Sequence, residues 1–350
     1  MKRFNMTLTS VSWILLIVLV LGSCNKSSVP YTQDGNWVTR SSLNGPNRSE
    51  AVAIPVGNFV YLTTGIDQTF KRYNDTWQYD PVNDNWLQVA NLPDTSATGA
   101  KTVRNSAVGF AIGSNAYLGT GYDGNNPMSD FWEYNPETNA WTQKANFSGG
   151  ARYDAVAFGI GNFGYVSTGY DGSNALKDFW QYDPTADSWT QKVSMGGDKR
   201  SGAVAFVYKD KGYVVTGINS GTLSTDFWQF DPSQPEASSW KALRRITNFS
   251  SDNYDDGYTT IARSNGAAFV IGDKAYISTG QNVSLYTWTW EYDFASDIWK
   301  EKTPFEGAGR EGAVGFTISG RGYVGTGKSA SAVFDDIREF HPNEVYNVND

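Results

Sequence analysis

The chain has 350 residues, a net charge of −8 at neutral pH, 15% aromatic residues, one cysteine and one histidine. The acidic balance and the lack of any basic run give no support to nucleic-acid binding. A single cysteine excludes a disulfide framework, and a single histidine removes most zinc chemistry, which draws several ligands from His and Cys.

Residues 1–24 read as a targeting segment. Lys2 and Arg3 form a charged start, and Val11 to Leu21 is an apolar run too short for a comfortable membrane span. It ends in Leu21-Gly22-Ser23-Cys24, which resembles a bacterial lipobox. The resemblance implies cleavage before Cys24 and lipidation of that thiol; the alternative is an ordinary secretory signal in which Cys24 is incidental. Residues 25–35 form a short polar tether. Asn25 is not the aspartate associated with inner-membrane retention, so the resemblance implies the outer membrane, with membrane contact only through the lipid on Cys24.

From residue 36 to 345 the chain repeats one unit. In its third copy, Ala155–Ile160 reads as a first strand, Gly161 to Gly164 as a hairpin turn and Tyr165–Thr168 as a second strand. Asp178–Tyr182 alternates polar and aromatic residues as a third strand, and a fourth starts at Trp189. An Arg leads each copy: Arg48, Arg104, Arg152, Arg200, Arg263 and Arg310. A Thr-Gly pair ends the second strand each time, at Gly65, Gly121, Gly169, Gly217, Gly280 and Gly327. The Arg-to-Arg spacings are 56, 48, 48, 63 and 47, the period of four-stranded propeller blades.

These copies resemble the kelch-repeat β-propellers, with Thr-Gly where that family usually carries Gly-Gly. The resemblance implies an all-β fold of six four-stranded antiparallel blades. The sixth copy lacks a fourth-strand Trp, whereas Trp37 stands 11 residues before Arg48, as Trp141, Trp189 and Trp299 stand before the next Arg. The N-terminal strand is therefore expected to complete blade six and close the ring, which removes exposed sheet edges. Small residues such as Ala107, Gly109, Ala155 and Ala203 suit an innermost strand beside a channel.

Strand order places the loops between strands two and three, and those between blades, on one face. The leading arginines are expected to ring the channel mouth there. Each has an Asp near the start of strand three (Asp75, Asp130, Asp178, Asp226, Asp336), except in blade five, where Trp288 stands instead. Two readings follow: a repeated structural Arg–Asp clamp, or a cationic mouth for an acidic peptide or a carboxylated sugar. Arg263, without its Asp, is expected to be free for a ligand. The gap from fourth-strand Trp to the next Arg widens from 11 to 18 after Trp86 and to 23 after Trp240. Extra loop length on a rigid scaffold is where binding usually resides, so Tyr254 in the second insertion joins Tyr122, Asp123, Tyr170 and Asp171 as candidate ligand contacts. Asp-Gly at 123–124 and 171–172 also suits plain turns. Asp252, Asp255 and Asp256 fit no EF-hand spacing.

Glu50, Asp154 and Glu311 lie beside the arginines and are weak candidates for general acid or base work, with local salt bridges as the alternative. The copper site of galactose oxidase, which resembles this architecture, cannot be built with His341 alone and no propeller cysteine. No metal or cofactor is expected. The resulting expectation is a lipid-anchored scaffold that binds an envelope protein or glycan without chemistry. The alternative rests on analogy with bacterial sialic-acid mutarotases, also six-bladed kelch proteins: a metal-independent carbohydrate mutarotase or epimerase. A third possibility is a structural subunit of an envelope assembly.

Overall fold

In a computed structural model, which describes residues 34–247, 258 and 260–350, the chain winds six four-stranded antiparallel sheets around a channel. Cys24 and Tyr254, and Asp252, Asp255 and Asp256 with them, lie outside the described residues. Five of the sheets are ordered as the chain runs, innermost strand first, and the sixth takes its outermost strand from the start of the propeller. In the third blade the strands are Val156–Ile160, Phe163–Ser167, Phe179–Asp183 and Ser188–Lys192. Its first turn is tighter than the sequence suggests. Ile160 pairs directly with Phe163, so Gly161 and Asn162 alone make the hairpin, with Gly161 at φ 58°.

Alternation along the innermost strands builds both core and channel. Val52, Ile54 and Val56 are buried between blades, while Ala53 and Pro55 face inward. Small side chains at the inward positions leave a cavity of about 190 Å³ toward the loop-rich end, lined by Ala51, Ala107, Ala155, Ala203, Gly266 and Ala313 among others. Toward the other end the channel widens to about 540 Å³.

Aromatic residues fill the wedges between blades. Phe131 of blade two meets Tyr182 at 4.7 Å and Trp189 at 4.9 Å, both of blade three and both edge-on. Such pairs each add about 1 kcal/mol to their burial. The fourth-strand indoles also fasten neighbours: Trp86 donates to the Ser41 carbonyl (3.0 Å), Trp141 to Ala90 (3.0 Å), Trp189 to Ala145 (3.1 Å) and Trp240 to Val193 (3.2 Å).

Ring closure follows the expectation. Asp34–Arg40 pairs antiparallel with Ile337–Val345, Trp37 opposite Phe340, as the outer strand of blade six. Trp37 is fully buried and donates to the Thr303 carbonyl at 3.2 Å, as Trp86, Trp141, Trp189 and Trp240 do to theirs.

Candidate functional site at the channel mouth

Two hydrogen-bonded belts shape the mouth. The N–H of Glu50 donates to the Gly312 carbonyl (2.7 Å), Gly312 to Asn265 (3.0 Å), Asn265 to Gly202 (2.9 Å), Gly202 to Asp154 (2.9 Å), Asp154 to Ser106 (3.1 Å) and Ser106 back to Glu50 (2.9 Å). All six residues are left-handed, with φ between 51° and 61°. Four of them carry side chains, although that conformation costs an L-residue about 1–2 kcal/mol. In the second belt the N–H of each Thr-Gly glycine donates to the carbonyl of the next blade's leading Arg, from Gly65 to Arg104 (2.8 Å) round to Gly327 and Arg48 (2.9 Å). The glycine is required there: a Cβ on Gly169 would come within 2.9 Å of the Tyr153 carbonyl.

The arginines do not line the mouth. All six are at most 1% exposed. Each side chain turns into its own blade, where NH1 donates to the carbonyl of the Thr in the Thr-Gly pair, as Arg152 does to Thr168 at 3.0 Å. In four blades the guanidinium then grips Asp bidentately: Arg48–Asp75 (2.6 and 2.8 Å), Arg104–Asp130 (2.8 and 2.5 Å), Arg152–Asp178 (2.7 and 2.8 Å) and Arg310–Asp336 (2.5 and 3.0 Å). Arg200 holds Asp226 through NH2. In four blades the second residue after the Asp is a Trp whose indole N–H also binds that carboxylate, as Trp180 binds Asp178 at 2.7 Å. The unit is an Arg–Asp–Trp clamp, and the cationic-mouth reading of these arginines gives way to it.

Arg263 corrects a further expectation. It lacks an Asp, yet it is buried and engaged. Its guanidinium donates to the carbonyls of Thr260 (2.6 Å), Ile261 (3.0 Å), Thr279 (2.6 Å) and Trp288 (2.8 Å). Burial with no carboxylate partner among the described residues pushes it down to about 9. The described ends of the second insertion serve packing: Ile246, Tyr258 and Ile261 are buried in the cluster between blades four and five.

The positions following each Arg and each Thr-Gly are bridged as Ser49/Ile66, Asn105/Tyr122, Tyr153/Tyr170, Ser201/Ile218, Ser264/Gln281 and Glu311/Lys328, and all of them except Ser49, Ile66, Asn105 and Ser264 keep partial exposure, unlike the arginines. Glu50 and Glu311 converge on Lys328, at 2.6 and 3.7 Å. Glu50 also accepts from Asn105 (2.5 Å) and Ser106 (2.9 Å), and Glu311 from Gln281 (2.5 Å) and Asn265 (3.0 Å). Burial alone would raise the Glu50 carboxyl, but the Lys328 ammonium and these hydrogen bonds outweigh it and hold it below the ordinary value. Burial likewise opposes the Lys328 charge, yet Glu50, Glu311 and Asp154 hold its ammonium above the ordinary range. Asp154 is different. Burial first, then the Glu50 charge, push its carboxyl up to about 7.

The structure thus brings Glu50, Asp154 and Glu311 into one cluster and adds Lys328, Asn105, Ser106, Asn265 and Gln281, which the repeat reading passed over. Tyr122 and Tyr170 flank the same mouth, joined by Tyr153. Asp123 and Asp171 accept from backbone N–H groups two and three residues on (2.6–2.7 Å), so these aspartates build turns. His341 sits in the last strand with its ring nitrogens 2.8 Å from Glu344 and 3.1 Å from Glu339. Among the described residues no three His, Cys, Asp or Glu side chains converge on a metal position.

Comparison with known proteins places this architecture. The KLHDC2/KLHL20/DRC7 Kelch-repeats domain matches over residues 32–199 and again over 96–255, together more than half of the chain. The chain belongs to the kelch-repeat family. No curated protein matches it. A solved structure titled "Structure of YjhT" superimposes on the kelch propeller with a TM-score of 0.68 at 16% identity, covering 85% of this chain and 95% of that one. At that identity the likeness is one of fold.

Proposed function

We propose that this kelch propeller is a lipid-anchored binding module of the bacterial envelope that engages a glycan or protein through its channel mouth. The observation that carries this is asymmetry on a repeated scaffold. Clamps and belts recur from blade to blade, but the mouth positions diverge into a carboxylate–lysine cluster on blades six and one and a tyrosine arc on blades two and three. Lipidation of Cys24 and outer-membrane placement rest on the N-terminal sequence alone. Affinity capture from the native envelope tests the reading: wild-type bait is compared with Lys328→Ala and Tyr153→Ala baits of equal melting temperature. A partner held by wild type and lost from both variants is the expected result; a partner held equally by all three would remove the mouth as the binding face.

A second reading is favoured by the Asp154 carboxyl alone, since a group titrating near 7 between two other carboxylates is suited to moving a proton on a bound sugar. NMR exchange measurements on sialic-acid anomers decide it: exchange no faster than in buffer discards the enzyme.

A further inference from the structure

The tyrosine arc meets the Lys328 cluster at Asp154, and the two form one corner of the mouth. The Tyr122 and Tyr153 ring centroids are 5.1 Å apart at 45°, and Tyr153 and Tyr170 are 5.6 Å apart at 68°. Rings tilted this way form a cup. All three are half-buried, so each keeps ring surface open. The rim already accommodates a cation, because the Arg72 guanidinium stands 5.3 Å from the centre of Tyr122. Asp154 follows Tyr153 directly in the chain and is half-buried at the same corner. Glu50 and Glu311 share the Lys328 ammonium, whereas Asp154 has no ion pair among the described residues. Its carboxyl is therefore the member of the Glu50–Asp154–Glu311 cluster without a direct ion pair, helped by a Ser106 hydrogen bond and by Lys328 only at longer range, and the high position of its titration agrees with that.

We propose that this corner takes a sugar ring carrying a free, protonated amine, stacked on Tyr153 with its ammonium against the Asp154 carboxylate. Aromatic faces attract both the C–H face of a sugar and a cation. Three adjoining rings offer more aromatic face than a single methylene chain would cover, which favours a ring over a lysine side chain. A carboxylate and an ammonium in a half-buried corner attract more strongly than in open water. The proposal rests on the reading of the mouth as a binding face and names its ligand class.

Titration calorimetry on the purified protein at neutral pH tests it with a glucosamine oligomer and its fully N-acetylated counterpart of equal length. The free-amine oligomer is expected to bind, with the acetylated one at least about tenfold weaker, a loss of about 1.4 kcal/mol. Asp154→Asn and Tyr153→Ala should each weaken the free-amine oligomer by at least about tenfold, and a melting temperature no lower than wild type for Asp154→Asn excludes misfolding as the cause. Equal binding of the two oligomers, or undiminished binding by Asp154→Asn, overturns the proposal. If neither oligomer binds while envelope capture still depends on Lys328 and Tyr153, the amino-sugar proposal fails and the binding module stands.

Discussion

The indole N–H of Trp290 donates to the hydroxyl of Thr260 at 3.0 Å, where the corresponding Trp in four other blades binds an aspartate. The Thr260 carbonyl takes the Arg263 guanidinium as well. A threonine from the insertion thus substitutes two neutral oxygens for a carboxylate and leaves a buried positive charge unneutralised. The two kinds of clamp should respond differently to removal of the arginine. Arg152→Met strands Asp178 and is expected to cost about 3 kcal/mol. Arg263→Met strands only backbone carbonyls, each worth about 1 kcal/mol, and relieves a desolvated charge, so its net cost should be roughly half as large. Urea unfolding of the two variants measures this, and a larger loss for Arg263→Met would contradict the account.

Closure through the first strand leads to a second expectation. Trp37 is fully buried, packs on Phe305 at 5.1 Å and Phe340 at 4.7 Å, and holds the Thr303 carbonyl. Trp37→Ala should destabilise the fold by about 3–5 kcal/mol. Removing residues 34–40 should do more, because it bares the edge of Ile337–Val345 for pairing with other chains. Size-exclusion chromatography of that deletion is expected to show oligomers, and a stable monomer with wild-type melting would refute the closure role.

The fold was readable because its signals are periodic. Arg, Thr-Gly and Trp recur at positions whose spacing alone locates four strands, and Trp37 could be assigned by its 11-residue distance to Arg48. The direction of the arginine side chains was not readable from spacing. The same column suits a charged rim or a buried clamp, and the choice depends on a turn of the side chain across the Thr-Gly corner to Asp. The mouth was half readable. Glu50, Asp154 and Glu311 stand beside the arginines in sequence, but Lys328 and Gln281 follow the glycines of blades six and five and reach carboxylates of a neighbouring blade, Gln281 that of Glu311 on blade six and Lys328 that of Glu50 once blade six closes on blade one. Their signal was present as variation: the residues after each Arg and Gly change from copy to copy while the frame does not.

The threonine of the Thr-Gly pair is strained in every blade. Thr168 has φ 62°, an outlying value for a β-branched residue, and its buried hydroxyl has no hydrogen-bond partner, as also at Thr64, Thr120, Thr216 and Thr326. Glycine would relieve the strain and remove the orphan hydroxyl, against an unfolded-state entropy penalty of about 0.4–1 kcal/mol and some lost packing. Thr168→Gly is therefore expected to leave stability within about 1 kcal/mol of wild type or to raise it. A loss of several kcal/mol in urea would show that the threonine methyl, and not only its backbone carbonyl, supports the clamp.

Asp154 gives the stability of this propeller a pH dependence of unusual sign for a carboxylate. Burial and the Glu50 charge push its carboxyl up to about 7 in the folded protein, whereas an unfolded aspartate titrates near pH ~4. Between those values the folded protein retains a proton that the unfolded chain has released. Its contribution therefore lowers stability as pH rises from about 4 to about 7 and is level above that. Asp154→Asn keeps the size and polarity of the side chain without the titration. Relative to wild type, the variant should gain stability steadily across that window and be more stable by roughly 2–4 kcal/mol on its alkaline side. Melting curves of both proteins at a series of pH values measure the difference. If it is constant with pH, Asp154 is ionised as readily in the folded protein as in water, and the proton-transfer reading of the mouth loses its support.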